Sequence, residues 1–197
     1  MRLPGLVLLG SALLLPSFAA MAEPAATARR FADEFAVPRF QAVAAAARVQ
    51  ESAWNKFCAT RKRGDVTSLK EAYDKLADAW ADVEFVRVGP AAIALRADRF
   101  NWWLDRTDAT GKALAAMLAA KAEDLTVEKL AAGSVAGQGL PITERLLYPA
   151  SEAAKLKSKG GGQRCLVGLA VAREQSAIAD QIVTDWTAPD GARAALC

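Results

Sequence analysis

VPRFQAVAAAARVQESAWNKFCATR, residues 37–61, is an alanine-rich run in which Phe40, Val43, Ala44, Ala47, Trp54, Phe57 and Cys58 recur close to the helical period. That spacing places them on one stripe of a single long helix. Gly64-Asp65 ends it. A second helix is expected from about Thr67 to Val86, capped by Thr67 or Ser68, with Glu71 in its first turn. Leu69, Tyr73, Leu76, Trp80, Val83 and Val86 form its stripe. Tyr73 and Trp80 share a face, where core packing is the simpler role for both rings.

Farther out the pattern stays helical. Gly89-Pro90 closes the second helix, and Ala109 to Lys121 reads as a third, with Leu114, Met117 and Leu118 inward. Thr126 caps a short helix behind it. The last helix is expected from about Arg164 to Trp186, packing through Leu166, Leu169, Ala170, Arg173, Ile178, Ile182 and Trp186. Between Tyr148-Pro149 and that helix the chain is polar, and Lys155 to Lys159 is basic. Gly160-Gly161-Gly162 reads as a loop tip. It lacks the Gly-Lys-Ser/Thr ending of a phosphate loop, and no strand precedes it. With no strand pattern and no internal repeat, the fold class is all-α: an antiparallel helical bundle of four to five main helices.

The first residues assign a compartment. Met1-Arg2, the apolar run Leu3 to Leu15 and Ala20-Met21-Ala22 are the three parts of a secretory signal peptide, with cleavage expected after Ala22. The functional domain is then residues 23–197, in the periplasm of a bacterium or secreted. Pro4 and Pro16 interrupt the apolar run, which argues against a retained membrane span. A net charge of +3 is close to balance and gives no footprint for nucleic acid or anionic membrane. Arg61-Lys62-Arg63 suits a helix C-terminus.

Three cysteines are present, and an exported chain can keep disulfides. A bridge between Cys58 and Cys165 would close a loop of about 107 residues and contribute about 4–5 kcal/mol. Cys197 is then left over, as a free thiol or an intermolecular bridge. The chain has no histidine. Ser–His–Asp and Cys–His nucleophiles are excluded, as are histidine-based zinc sites. A metal here would rely on carboxylate, tyrosine, backbone oxygen or water, a set suited to hard cations or ferric iron.

Two stretches carry candidate site residues. In Gly137-Gln138-Gly139-Leu140-Pro141-Ile142-Thr143-Glu144-Arg145-Leu146-Leu147-Tyr148, two glycines and a proline lead into a helix. Leu140, Glu144, Leu147 and Tyr148 fall on one side, Ile142 and Leu146 on the other. A helix apolar on both sides is buried, so Glu144 is expected in a poorly solvated place, paired, protonated or ligand-bound. A structural ion pair with Arg145 or an arginine from elsewhere is the plainer alternative. The second stretch, Ala91 to Arg106, mixes Trp102 and Trp103 with Arg96, Arg99, Arg106, Asp98 and Asp105. Arg96, Arg99 and Trp103 share a face at helical spacing and are candidate neighbours of Glu144, with a packed connection as the alternative.

Taken in order, these features resemble the imelysin family of exported bacterial proteins. Gly89-Pro90 follows a helix bearing Trp80. Arg99-Phe100-Asn101-Trp102-Trp103-Leu104-Asp105 resembles the family's arginine, apolar, Trp-Pro-Asp signature, with Leu104 where proline is usual. Gln138 to Leu147 resembles its glycine-to-glutamate motif, and Cys165 opens the next helix. The resemblance implies an all-helical fold and a link to iron uptake or metal handling. It also implies that this chain represents roughly the first half of a two-bundle architecture. Some family members are classed as metallopeptidases on a glycine, any, histidine, any, any, glutamate motif. Gly139 and Glu144 match its ends, but Pro141 stands at the histidine and has no side-chain ligand atom.

Three readings follow. The leading one is a non-catalytic periplasmic binding protein for an iron or other metal ion, or a metal-linked ligand. Its candidate ligand-binding residues are Gly139, Glu144, Arg96, Arg99, Trp103 and Asp105, with Glu144 as the metal ligand. The others are a metallopeptidase, and a structural module that binds an envelope protein.

Overall fold

The computed structural model describes residues 19–61, 65–102 and 105–196, with side chains from residue 24. Trp103, Cys197 and nearly all of the expected signal peptide lie outside the described residues. Helix α1 (Ala19–Arg30) runs through a π-helical segment, Phe31–Ala36, into α2 (Val37–Ala59). The wide turn has a local cause: Pro38 has no N–H to donate, and its ring crowds the carbonyl four residues back. Val37 N–H accordingly reaches back to the Ala32 carbonyl. Then follow α3 (Val66–Ala81), the short α4 (Arg96–Phe100), α5 (Ala109–Ala119), α6 (Val127–Ala132), α7 (Gly139–Leu147), α8 (Ala150–Lys157) and α9 (Gly161–Thr187). Among the described residues there is no strand, and no helix is long and apolar enough to cross a membrane.

The frame is α2 laid against α9 and α3. Arg48 pairs with Asp180. Gln50 Nε2 donates to Gln175 Oε1 at 2.8 Å, and Cys58 is bridged to Cys165 with Cα atoms 5.6 Å apart. Numbers rise on α2 as they fall on α9, so the pair is antiparallel. Between Gln50 and Cys58 the helices come close enough that a Cβ on Gly168 would stand 2.4 Å from the Trp54 ring. One apolar cluster gathers Phe40, Val43, Leu76, Trp80, Phe100, Ile182 and Trp186. A second gathers Trp54, Phe57, Leu69, Ile142, Leu146, Leu147 and Leu156. Tyr73 touches both.

The expected stripe of α2 is buried from Phe40 to Phe57, and Cys58 is half-buried. Four local expectations are corrected. Asp65, not Thr67 or Ser68, caps α3, accepting from Thr67 N–H at 2.9 Å. The polar connection after Pro149 forms α8, and Gly161 and Gly162 begin α9. Its composition favours helix, but only Leu156 is buried, so no apolar stripe marks it. On α9, Leu166 and Arg173 face solvent while Glu174 and Gln175 are buried.

Candidate functional site

Gly139 begins the motif helix, and its backbone explains why it is glycine. It has φ +72°, and a Cβ there would stand 2.2 Å from the Phe100 carbonyl oxygen and 2.5 Å from that of Arg99. The start of α7 is thus wedged under the end of α4. Gln138, just before it, is buried. Its Nε2 donates to the Leu130 carbonyl at 2.7 Å, and its Oε1 accepts from Arg99 Nε at 2.8 Å. Arg99 Nη2 donates on to Glu174 Oε1 at 2.6 Å. Arg96 is tied to the same long helix, donating to Asp185 Oδ2 at 2.7 Å and to the Pro90 carbonyl at 3.0 Å. Both arginines clamp α4 to α9, and neither is an ion-pair partner of Glu144.

Glu174 has no exposed side-chain surface, and its Oε2 has no partner among the described residues. Burial pushes its carboxyl up to about 7 against the opposing pull of Arg99. Between about 4.5, the ordinary value, and about 7 the folded protein holds a proton that the unfolded chain releases. Stability therefore falls as pH rises through that window, by roughly 3 kcal/mol in all. Glu174→Gln cannot ionise and is expected to lose that slope. Urea midpoints for both proteins from roughly pH 5 to 8 check this, and parallel profiles would count against it.

Asp105 is committed to structure. It accepts from the backbone N–H groups of Ala109 at 2.6 Å and Thr110 at 2.9 Å, capping α5. Burial works to raise its carboxyl, but the Thr110 and Ala109 bonds and the Arg145 charge outweigh it and hold the carboxyl below its ordinary value. Arg145 pairs with Asp105 at 3.5 Å and Asp108 at 2.7 Å.

Glu144 is the main correction. It is exposed, not buried, and its side chain makes no ion pair or hydrogen bond among the described residues. The structural Glu–Arg alternative therefore also fails. The apolar pattern misleads because α7 buries three sides: Leu140 and Leu147, Ile142 and Leu146, and Thr143 between them. The strip through Pro141, Glu144, Arg145 and Tyr148 is open. Glu144 and Pro141 line a cleft of about 530 Å³. Its opposite wall is α3 and the turn after it, with Tyr73, Trp80 and Glu84, and its third side holds Asn101, Trp102 and Asp105. The Tyr73 and Tyr148 rings meet at 5.4 Å between centroids, and the Tyr148 hydroxyl donates to Asp74. Burial, then Glu144, Tyr148 and Asp74, raise the Tyr73 phenol well above its ordinary value. Burial and Asp74, with Glu144, push Tyr148 up to about 12.

The family model for imelysin matches residues 36–197. The chain belongs to the imelysin family. A solved imelysin-like protein from Psychrobacter arcticum has a similar fold, with a TM-score of 0.71 at 24% identity. The match covers 84% of this chain and 50% of that one, so this imelysin chain spans about half the length of its solved relative. No curated protein matches.

In this imelysin the motif positions are split: Gly139 is buried against α4, while Pro141 and Glu144 open on the cleft. Pro141 supplies no ligand atom. Among the described residues no group of three or more His, Cys, Asp or Glu side chains comes together. The residues thus do not fit a histidine-type divalent metal centre. The candidate residues separate into a clamp (Arg96, Arg99), a cap (Asp105), a wedge (Gly139) and one uncommitted cleft carboxylate (Glu144). Glu174 escaped the sequence reading, although Glu174-Gln175 is a polar pair set between apolar Val171 and Ile178. Gln138 is read there only as part of the motif, and no local signal marks its bond to Arg99.

Proposed function

We propose that this imelysin is a non-catalytic binding protein of the bacterial periplasm, serving iron or metal uptake, with the cleft beside α7 as its ligand site. The observation that carries the reading is Glu144, an exposed carboxylate without a partner, placed on a recess walled by Tyr73, Trp102 and Glu84. A carboxylate so placed is free for a cationic or metal-linked ligand. The non-catalytic reading rests on Pro141. A peptidase metal needs fixed ligands, an open position and a general base, and Pro141 removes a ligand at the motif's centre.

Calorimetric titration of residues 23–197 with ferric citrate, zinc and copper, beside Glu144→Ala, tests this. One equivalent of the ferric complex is expected to bind, with Glu144→Ala weakening it by at least about tenfold. Binding of none of the three, or no change in the variant, would overturn the reading. A partner-binding module is the second reading, favoured by exposed Phe85, Val88, Ile93 and Leu95. Co-purification of an envelope protein without metal would support it.

A further inference from the structure

We propose that Glu174, sealed beneath α4, is a proton-operated latch on the α4 wall of the cleft: the wall is held while the carboxyl carries its proton and freed when the proton leaves. The latch acts on the wall whatever the cleft binds. Helix α4 is five residues long and ends at the cleft, where Asn101 and Trp102 form one side. Just before it, Ala94 and Leu95 are both left-handed, at φ 52° and 56°, a conformation that strains residues other than glycine. Leu95 is exposed, so the chain enters α4 through a strained hinge in solvent. Polar tethers hold the helix down. Arg96 reaches Asp185 and the Pro90 carbonyl, and Arg99 reaches Gln138 and Glu174. At the cleft mouth Asn101 Nδ2 meets Glu84 across 3.4 Å.

Glu174 is the tether whose charge can change. Its side chain is fully buried; Oε1 accepts from Arg99, while Oε2 has no partner among the described residues. Arg99 is the charge that acts on it. The other elements packed on α9 direct their charges elsewhere. On α2, Gln50 meets Gln175 and Glu51 pairs with Arg173. On α7, Arg145 pairs with Asp105 and Asp108, and Glu144 opens on the cleft. Lys129 of α6 pairs with Asp124, Lys112 of α5 bonds to the Thr107 carbonyl, and Glu152 of α8 pairs with Arg164. Asp185, held by Arg96, lies about three turns farther along α9. With α4 seated, burial holds the Glu174 carboxyl up to about 7. With α4 lifted, water reaches the carboxyl and it returns toward its ordinary value of 4.5. The seated form therefore binds the proton more tightly. Proton gain seats the wall, and proton loss as pH rises through about 7 frees it.

Hydrogen–deuterium exchange of the oxidised protein, corrected for the pH dependence of intrinsic exchange, reads the wall directly. The Asn101 N–H, bonded to the Ala97 carbonyl at 3.0 Å, and its neighbours on α4 are the reporters. Their protection is expected to lie below that of the α2 amides beside Trp54 and to be unchanged by low urea, as local opening exposes little surface. It should fall about tenfold between about pH 6 and about pH 8. Glu174→Gln keeps an acceptor for Arg99 and has no proton to lose, so its α4 protection should be flat over that range. A flat wild-type profile would overturn the latch, as would an equal fall in the variant. So would α4 protection that matches the α2 amides in size and urea dependence, because Glu174 would then be wetted only when the whole domain unfolds. No ligand enters the measurement, so each of these outcomes leaves the binding-protein reading where it stands.

Discussion

Loss of the Cys58–Cys165 bridge is expected to lower stability by about 4–5 kcal/mol, a large share of what a domain of this size holds. The bridge spans a sequence separation of 107 residues, and that interval contains α3 to α8 and the whole cleft. Cutting it frees the unfolded chain far more than it changes the folded one, since α2 and α9 keep their packing around Trp54 and Val171. Cys58→Ala with Cys165→Ala should therefore melt roughly 10–15 °C lower than the oxidised wild type. Wild-type protein under reductant should behave like the variant. A melting temperature that moves by less than roughly 2 °C on reduction would show that the link adds little beyond packing. The same comparison bears on the compartment, because a chain that depends on this bridge needs an oxidising environment to reach full stability.

Gly139→Ala is the second large effect, expected to destabilise by roughly 3 kcal/mol or more. Two terms add. An alanine held in the left-handed region is strained by about 1–2 kcal/mol. Its Cβ would also sit 2.2 Å from the Phe100 carbonyl oxygen, and because that atom is backbone, relief requires α4 to move. Moving α4 pulls on Arg96 and Arg99, whose bonds to Asp185 and Glu174 hold it on α9. Chemical denaturation measures the loss. Ferric citrate binding at a temperature where the variant is folded measures whether the cleft wall at Asn101 and Trp102 has shifted. A loss under about 1 kcal/mol would mean that α4 yields easily and is not a fixed wall.

The candidate site was only partly legible because two of its features depend on which face of a helix is covered. Periodicity marks α7 as apolar on more than one side, and from that alone Glu144 should be buried. It is exposed because the helix sits at the edge of the bundle, with three sides packed and one open on the cleft. Arg96 and Arg99 share a face as expected, but that face meets α9, so their partners are Asp185 and Glu174, more than 70 residues away in sequence. Tyr73 read as core packing, and it does touch both apolar clusters. Its contact with Tyr148 needs α3 and α7 in register, which no local pattern encodes.

Some properties follow from the order of residues alone. Alanine-rich runs with apolar side chains at helical spacing can satisfy their backbone hydrogen bonds internally and bury one stripe, so an all-α bundle follows from local chemistry. The absence of histidine likewise excludes imidazole chemistry whatever the fold. Pairings across the bundle are different. Whereas the Cys58–Cys165 bridge is already a candidate in the sequence, the Arg99–Glu174 clamp, the wedge of Gly139 under Phe100 and the meeting of Tyr73 with Tyr148 each join segments remote in sequence. Tertiary packing alone decides them, because the rotation and offset of each helix are set by how side chains such as Trp54 and Gly168 interlock, not by the propensity of either helix to form.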